Sequence, residues 1–344
     1  MGARAVSGVL ALLAAAGVTT GAQGVGNKTL TAVPGIKVGH HTLVERPTGC
    51  TVILAEAGVA AGVDVRGSAP ATRETDLLNP VNLVQIAHAI VLSGGSAFGL
   101  DSASGVMRYL EERRIGFEFG PAHVPIVPAA AIFDLSVGDG RIRPGADCGY
   151  QAARAATDAS VIEGSVGAGA GATVGKAGGM ARSMKGGVGS AAITLPNGLI
   201  VAALVVVNAA GDVIDPATGQ VVAGVRSADG KAFADARKML RAGASGPPAG
   251  RQNTTLGVIA TNARLTKTEA TRVSQMAHDG YARALAPSHT PGDGDVIFTL
   301  ATGAAGSDAG QVGALAADVM ADAIVRAARQ ATGVAGIPAV RDLK

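Results

Sequence analysis

The chain has 344 residues, of which 48% are hydrophobic and 16% charged, and its formal net charge at pH 7 is +3. This composition excludes a disordered protein and is sufficient for a large core. The 50 glycines follow no three-residue period, which excludes collagen. The basic residues are scattered without aromatic partners, so we expect no nucleic-acid binding.

Residues 1–22 have the pattern of a secretory signal peptide. Arg4 precedes a short apolar stretch, and small residues at Thr20 and Ala22 occupy the positions that signal peptidase recognises. The apolar stretch is too short to span a bilayer comfortably. We therefore expect an exported protein, periplasmic or secreted, with no stable membrane insertion after processing. A simple N-terminal extension is the alternative.

Apolar runs bounded by turn residues predict the regular elements that follow. Strands are predicted at 30–41, 49–56, 60–66, 90–96, 191–195, 199–208, 256–261 and 296–302, and helices at 98–114, 147–158, 266–286 and 308–331. Asn197-Gly198 predicts a two-residue turn, and Thr266 with Glu269 predicts a capping box. Strands and long helices in this order favour a layered α/β sandwich with one core.

Several familiar motifs are absent or incomplete. The glycine-rich run 167–176 ends in Gly175-Lys176, but Ala170 and Ala177 stand where a phosphate-binding loop requires Gly and Ser or Thr. The run 94–98 lacks the final glycine of a hydrolase nucleophile elbow. The six histidines show no arrangement that selects a catalytic base, and we expect no metal or organic cofactor. Cys50 and Cys148 form either a disulfide or two buried thiols.

The tripeptide Asn253-Thr254-Thr255 separates a Pro/Gly-rich segment from an apolar strand, which is the pattern of a loop entering a strand. It is also compatible with an internal cleavage site. A threonine hydroxyl can attack the preceding carbonyl, and the product begins with a residue that carries both a nucleophile and an amine base. Downstream, Asp293 and Asp295 stand two residues apart, so both carboxylates can lie on one side of an extended backbone.

Eight stretches of the chain together resemble the P1 family peptidases (peptidase family S58), which include L-aminopeptidase/D-esterase, β-peptidyl aminopeptidases and nylon-oligomer hydrolase. They lie in order between about residues 33 and 330: 73–80, 92–101, 124–135, 167–176, 184–190, Val207-Asn208, Asn253-Thr254-Thr255 and Asp293-Gly294-Asp295. The resemblance implies a four-layer αββα sandwich, similar in layering to N-terminal-nucleophile hydrolases but with different connectivity. It also implies a homo-oligomer of αβ units.

The same resemblance implies roles for individual residues. Thr254 matches the nucleophile released by cleavage after Asn253, and Asn208 matches the amide of the oxyanion hole. Lys176 matches a lysine near the nucleophile, which would keep the amine neutral by like-charge repulsion. A further group completes the predicted site: Asp293 and Asp295, which would orient the threonine and its amine, and Tyr150, which would face the substrate.

The chain also differs from these relatives. The aminopeptidases use a serine nucleophile and a Ser-x-Glu pair where this chain has Thr254 and Asp293-Gly294-Asp295, and Phe133 replaces a tyrosine of the nylon-oligomer enzyme. We expect one domain made of an α chain, residues 23–253, and a β chain, residues 254–344, that hydrolyses small peptides or peptide-like amides and esters. The alternatives are a nylon-oligomer endo-amidase, an acyltransferase resembling ornithine acetyltransferase and a non-catalytic envelope binding protein.

Overall fold

The computed structural model describes residues 1–2, 27–243, 253–306 and 308–343. The predicted signal peptide, apart from its first two residues, lies outside the described residues. None of the helices in the described ranges is long and apolar enough to cross a membrane.

The described residues form strands and α-helices, with several strands often following one another before the next helix. The strands are β1 Lys37–Thr42, β2 Gly49–Val65, β3 Thr72–Arg73, β4 Ile86–Ser93, β5 Phe117–Phe119, β6 Ala122–Val124, β7 Ala129–Ala131, β8 Thr173–Val174, β9 Met184–Lys185, β10 Gly187–Thr194, β11 Ile200–Asn208, β12 Asp212–Ile214, β13 Val221–Ala223, β14 Thr254–Ala263, β15 Leu285–Ala286 and β16 Val296–Ala305. The helices are α1 Ser102–Glu111, α2 Ala146–Arg154, α3 Ala236–Arg241, α4 Lys267–Ala284 and α5 Ala309–Gln330.

Among the described residues, nine strands form one hydrogen-bonded sheet in the order β10-β11-β14-β16-β2-β4-β7-β3, with β1 also paired to β2. The long strand β2 joins the two halves of this sheet, which are β10-β11-β14-β16 on one side and β4-β7-β3 with β1 on the other. The N-terminal part of β2 pairs with β1 and β4, whereas residues 60–65 pair with β16. The register is irregular between Leu54 and Val59. The two predicted strands 49–56 and 60–66 are therefore one strand that belongs to both β layers.

Side chains alternate between faces along the strands, and this alternation separates three cores. On β14, Ile259 packs with α4 and α5, whereas Val258 belongs to a core that contains residues of both sheet halves. On β2, Ile53 belongs to that same middle core and Val52 packs with α1 and α2. The order of layers is therefore helices, sheet half, sheet half, helices, which confirms the αββα sandwich.

Local predictions agree with the structure where short-range chemistry decides the conformation. A turn joins β10 and β11 where Asn197-Gly198 predicts one, but its central residues are Pro196 and Asn197: Gly198, with φ +83°, follows them, and its N–H donates to Leu195 O at 2.9 Å. The capping box of Thr266 and Glu269 starts α4. The predicted strand 30–41 is different: Leu30–Ala32 form a 3-10 turn, and the strand begins at Lys37.

Cys50 and Cys148 form a disulfide that ties β2 to α2, with a Cα–Cα distance of 6.2 Å. This separation lies within the usual range for bridged cysteines. The structure thus decides between the two alternatives that the sequence left open.

Candidate active site

Three neighbouring strands bring the predicted site residues together at one edge. Asn208 is the last residue of β11 and lies directly opposite Thr254, the first residue of β14. Asp293 and Asp295 immediately precede β16, which runs parallel to β14 with Val296 beside Leu256. A single parallel bridge also joins Asn253 to Asp293. Strand register therefore places the amide, the threonine and both carboxylates within one small region.

The Thr254 hydroxyl lies against the carbonyl of the residue before it. Thr254 Oγ1 donates a hydrogen bond to Asn253 O at 2.5 Å, and the backbone N–H of Gly294 donates to the same oxygen at 2.9 Å. The threonine is only 4% exposed. A nucleophilic oxygen is thus held beside the carbonyl group of its own peptide bond.

Lys176 and Thr173 orient the Asn208 side chain. The Lys176 ammonium donates to both Asn208 O and Asn208 Oδ1 at 2.9 Å, and Thr173 N donates to Oδ1 at 3.0 Å. Since these donors identify Oδ1 as the acceptor, the amide nitrogen Nδ2 lies on the other side, where it donates to Phe133 O at 3.1 Å. The amide is therefore held with its N–H donors in a defined direction.

Two buried lysines support this arrangement. Burial lowers the pKa of Lys176 to about 7, although the nearby Asp293 and Asp134 carboxylates oppose the shift. Burial likewise lowers the pKa of Lys185 to about 7. Lys185 Nζ donates to Ala170 O and Ala172 O, each at 2.7 Å, and so ties down the glycine-rich run that leads to Lys176.

The two aspartates have different surroundings. Asp295 Oδ1 accepts the N–H of Thr255 at 2.7 Å, and its Oδ2 accepts the N–H of His289 at 3.2 Å. Asp293 Oδ2 accepts the N–H of Thr290 at 2.6 Å, but Asp293 Oδ1 is buried without a hydrogen-bond partner among the described residues. Burial, reinforced by the Asp295 charge, raises the pKa of Asp293 to about 6. Among the described residues, both carboxylate oxygens of Asp295 therefore already accept hydrogen bonds, whereas Asp293 Oδ1 can still accept one.

His289 is a residue that the sequence did not single out. Its Nδ1 lies 2.8 Å from Asp295 Oδ2, and its ring stacks edge-on against His278 with the centroids 4.9 Å apart. Tyr281 packs close to both histidines. His289 precedes Asp295 by six residues in an irregular loop, so no periodic pattern in the sequence indicated this contact. The His289 side chain thus contacts Asp295, whose Oδ1 accepts the backbone N–H of Thr255 at the start of β14.

Tyr150 does not contact the other predicted site residues in the described part of the chain. Its hydroxyl donates to Glu112 Oε2 at 2.8 Å, and its ring lies against Arg108 and Tyr109, on the outer side of α1 and α2. In the part of the chain that the structure describes, no hydrogen bond joins Tyr150 to the other predicted site residues. The backbone oxygen of Phe133, by contrast, accepts a hydrogen bond from Asn208 Nδ2.

No cluster of three or more His, Cys, Asp or Glu side chains suited to a metal ion is found within the described ranges. The chemistry that the arrangement itself offers is nucleophilic attack on a carbonyl. It combines a buried hydroxyl beside a carbonyl group, oriented N–H donors, a buried lysine and a carboxylate oxygen that has no hydrogen-bond partner among the described residues.

Sequence comparisons place the chain among peptide and amide hydrolases. The family model described as Peptidase family S58 matches residues 28–341. A protein of Mycobacterium tuberculosis named as an uncharacterized aminopeptidase is 44% identical and covers 92% of this chain and 97% of its own length. A 6-aminohexanoate-oligomer endohydrolase of Kocuria sp. is 32% identical, covering 86% of this chain and 84% of that protein.

Two solved structures share the fold. The β-aminopeptidase of Burkholderia sp. has a TM-score of 0.68 at 24% identity, covering 91% of both chains. The L-aminopeptidase D-Ala-esterase/amidase of Ochrobactrum anthropi, described as a variant of the Ntn hydrolase fold, has a TM-score of 0.67 at 18% identity and covers 89% of this chain and 86% of its own.

Proposed function

We propose, from the premise that the chain belongs to peptidase family S58 and is an aminopeptidase-like amidohydrolase, that Thr254 becomes its nucleophile when the chain cleaves itself after Asn253. The observation that carries the proposal is the 2.5 Å contact between Thr254 Oγ1 and Asn253 O. Cleavage yields an α chain that ends at Asn253 and a β chain that starts at Thr254. Both chains contribute strands to one sheet.

Cleavage gives the nucleophile its own base. The new α-amine of Thr254 has an ordinary pKa of about 8 and accepts the hydroxyl proton only when it is neutral. The Lys176 ammonium favours the neutral amine by like-charge repulsion. Asp293 Oδ1, which accepts no hydrogen bond from any residue that the structure describes, is suited to accept one from that amine and so to orient it.

Turnover then proceeds through an acyl-Thr254 ester. The hydroxyl attacks the substrate carbonyl, and Asn208 Nδ2 is the side-chain donor that stabilises the negative charge developing on the carbonyl oxygen. The amine passes its proton to the leaving nitrogen, and water hydrolyses the ester. Asp295 acts as a positioning residue, because its oxygens already hold Thr255 and His289. This assignment replaces our expectation that Asp295 and Asp293 share one role.

The direct test is a denaturing gel of the purified protein with N-terminal sequencing, combined with assays on amino-acid p-nitroanilides. We expect two fragments, the smaller beginning at Thr254, and release of p-nitroaniline that increases with the extent of cleavage. A single unprocessed band after long incubation, without hydrolysis, would contradict the proposal.

A second candidate is an endo-amidase for nylon oligomers. It is favoured by the paired aspartates and Lys176, which resemble the nylon-oligomer enzyme, and by the 32% identity to 6-aminohexanoate-oligomer endohydrolase. Linear 6-aminohexanoate oligomers distinguish the candidates. Intermediate-length products at early times indicate endo cleavage, whereas release of monomer from the amino end indicates an aminopeptidase.

His289 provides a test of the positioning role of Asp295. Replacing His289 with leucine removes the ring contact to Asp295 Oδ2 and leaves only the backbone N–H, which lets the start of β14 shift. The variant is expected to lower kcat about tenfold to a hundredfold with little change in KM. His289→Asn keeps a side-chain N–H donor and is expected to retain more of kcat. Steady-state kinetics of both variants provide the measurement.

The matched control is His123→Leu, on the distant β6 strand. This variant is expected to behave as wild type. Equal kcat values for His289→Leu and His123→Leu would remove His289 from the positioning role, as would a loss that His289→Asn does not reduce.

We also propose that residues 1–22 direct export and that the mature protein assembles as a homo-oligomer of αβ units. The Cys50–Cys148 disulfide supports an oxidising compartment. Fractionation of the producing cells with N-terminal sequencing of the mature protein, and light scattering of the purified enzyme, test the two proposals. A protein that stays in the cytosol with an intact N-terminus, or an αβ monomer, would contradict them.

A further inference from the structure

We propose that the backbone N–H of Gly294 is the oxyanion donor of the cleavage after Asn253. The inference rests on the proposed function and assigns a group to the self-cleavage step, for which the sequence indicated only the nucleophile. Gly294 lies between the two aspartates that the sequence singled out, and its own contribution comes entirely from the main chain.

The Gly294 N–H lies beside the Asn253 carbonyl oxygen, which becomes negatively charged during cleavage. Gly294 N lies 2.9 Å from Asn253 O, within the range of about 2.7–3.1 Å that is effective for an oxyanion donor. The Thr254 hydroxyl approaches the same carbonyl group. The nucleophile and the hydrogen-bond donor therefore converge on the single peptide group that is to be broken.

The segment that carries this N–H is fixed on two sides. Asp293 N donates to Thr290 O, and Asp293 Oδ2 accepts the N–H of Thr290. On the other side, Ala69 N donates to Asp293 O at 2.9 Å, and Gly67 N donates to Asp295 O at 3.1 Å. A donor held in this way needs no reorganisation as charge develops, which is the condition for strong electrostatic stabilisation.

Glycine at position 294 is required by the close approach of Thr254. A Cβ atom there would lie 2.9 Å from Thr254 Oγ1 and 2.6 Å from Ala69 O. Both distances are too short for ordinary contact. A side chain would therefore displace either the hydroxyl or the segment that carries the N–H, and only glycine leaves both in place.

The cleavage step balances without a co-reactant other than water. Thr254 Oγ1 forms a bond to the Asn253 carbonyl carbon, and the carbonyl electron pair moves to the oxygen held by Gly294 N–H. The intermediate collapses as the C–N bond breaks, and the hydroxyl proton passes to the Thr254 nitrogen. Water then hydrolyses the ester, leaving a carboxylate on Asn253 and a free hydroxyl and amine on Thr254.

Self-cleavage and turnover thus use different donors. The Asn208 amide, which we assign to turnover, is directed by Lys176 and Thr173. Gly294 N–H is directed at Asn253 O, which belongs to a terminal carboxylate and not to a scissile peptide once the α chain ends there. Removal of the Gly294 donor is therefore expected to slow self-cleavage more than it slows the mature enzyme.

The test replaces the Asp293–Gly294 amide with an ester, by suppressing a stop codon at 294 with glycolic acid, so that the N–H alone is lost. We expect self-cleavage to slow about a hundredfold to a thousandfold. After cleavage has gone to completion, kcat/KM on an amino-acid p-nitroanilide is expected to stay within about threefold of wild type. The control is the same ester at Gly219, whose N–H donates to Asp215 O at 2.8 Å in a surface turn.

Cleavage of the 294 ester at the rate of the Gly219 ester would overturn the proposal, and so would an equal loss in cleavage and in turnover. Gly294→Ala is a second variant, made by ordinary mutagenesis, that should also cleave slowly because its methyl group displaces the donor. Its cleavage at the wild-type rate would likewise overturn the proposal. Failure of the proposed function gives a different result, because the wild-type chain itself then stays uncleaved.

Discussion

The Thr254→Ala variant is expected to remain a single chain and to lose hydrolytic activity by at least about four orders of magnitude. The substitution removes the only atom assigned to attack both Asn253 and the substrate, and removal of a catalytic nucleophile in comparable hydrolases has effects of this size. Gel analysis over several days and p-nitroanilide assays measure the two losses separately. Thr254→Ser, which keeps a hydroxyl, is expected to cleave.

The adjacent threonine provides a matched control. Thr255 is equally buried, and its hydroxyl has no hydrogen-bond partner among the residues that the structure describes. Its contribution to the site is its backbone N–H, which Thr255→Val retains. We therefore expect this variant to cleave and to hydrolyse normally. If Thr254→Ala were processed and Thr255→Val were not, the nucleophile would have been assigned to the wrong residue.

The second large effect is expected for Lys176→Met, which should lower kcat/KM about a hundredfold to a thousandfold. The substitution removes two hydrogen bonds that orient Asn208 and so disturbs the oxyanion donor. It should also change the pH profile. The Lys176 charge, present below about pH 7, lowers the pKa of the catalytic amine by like-charge repulsion. Without it, that pKa rises towards about 8, and activity is lost at a higher pH as the solution is acidified.

Lys185→Met is the control for burial of a lysine. Lys185 is as deeply buried as Lys176 and its pKa is lowered to the same value, but its ammonium binds carbonyl oxygens of the glycine-rich run. We expect the acidic limb of kcat/KM for Lys185→Met to stay at its wild-type position. An unshifted limb in Lys176→Met, or the same shift in both variants, would argue against the electrostatic role of Lys176.

The residues of the site could be named from the sequence because each belongs to a short stretch that resembles the family. Thr254 follows a loop and starts an apolar strand, Asn208 ends a strand of nine residues, and Asp293 and Asp295 precede another. The position of the Tyr150 side chain could not be predicted in the same way. Its match was local, and the packing of α2 on α1 directs its side chain to Glu112, away from the strand ends.

The layered fold was likewise predictable from alternating apolar runs and long helices, but the continuity of the two β layers was not. It depends on β2 running for seventeen residues through an irregular register, so that one strand pairs with β4 and with β16. The sequence shows two apolar runs with a weaker segment between them. Gly58 in that segment has φ +72°, and pairing of the residues on both sides of it makes the two runs one strand.

The sequence by itself determined a layered α/β sandwich, since apolar runs and long helices indicate it. The stretches that resemble the family implied its αββα form, the threonine at the proposed cleavage site and the chemical groups around it. The tertiary structure decided how those groups are connected. It paired Cys50 with Cys148, brought His289 against Asp295 and directed the Gly294 N–H at Asn253 O. Within the described ranges it also left Asp293 Oδ1 without a hydrogen-bond partner. These contacts depend on register and packing between segments distant in sequence, and the distances that distinguish an occupied oxygen from a free one arise only when the strands are side by side.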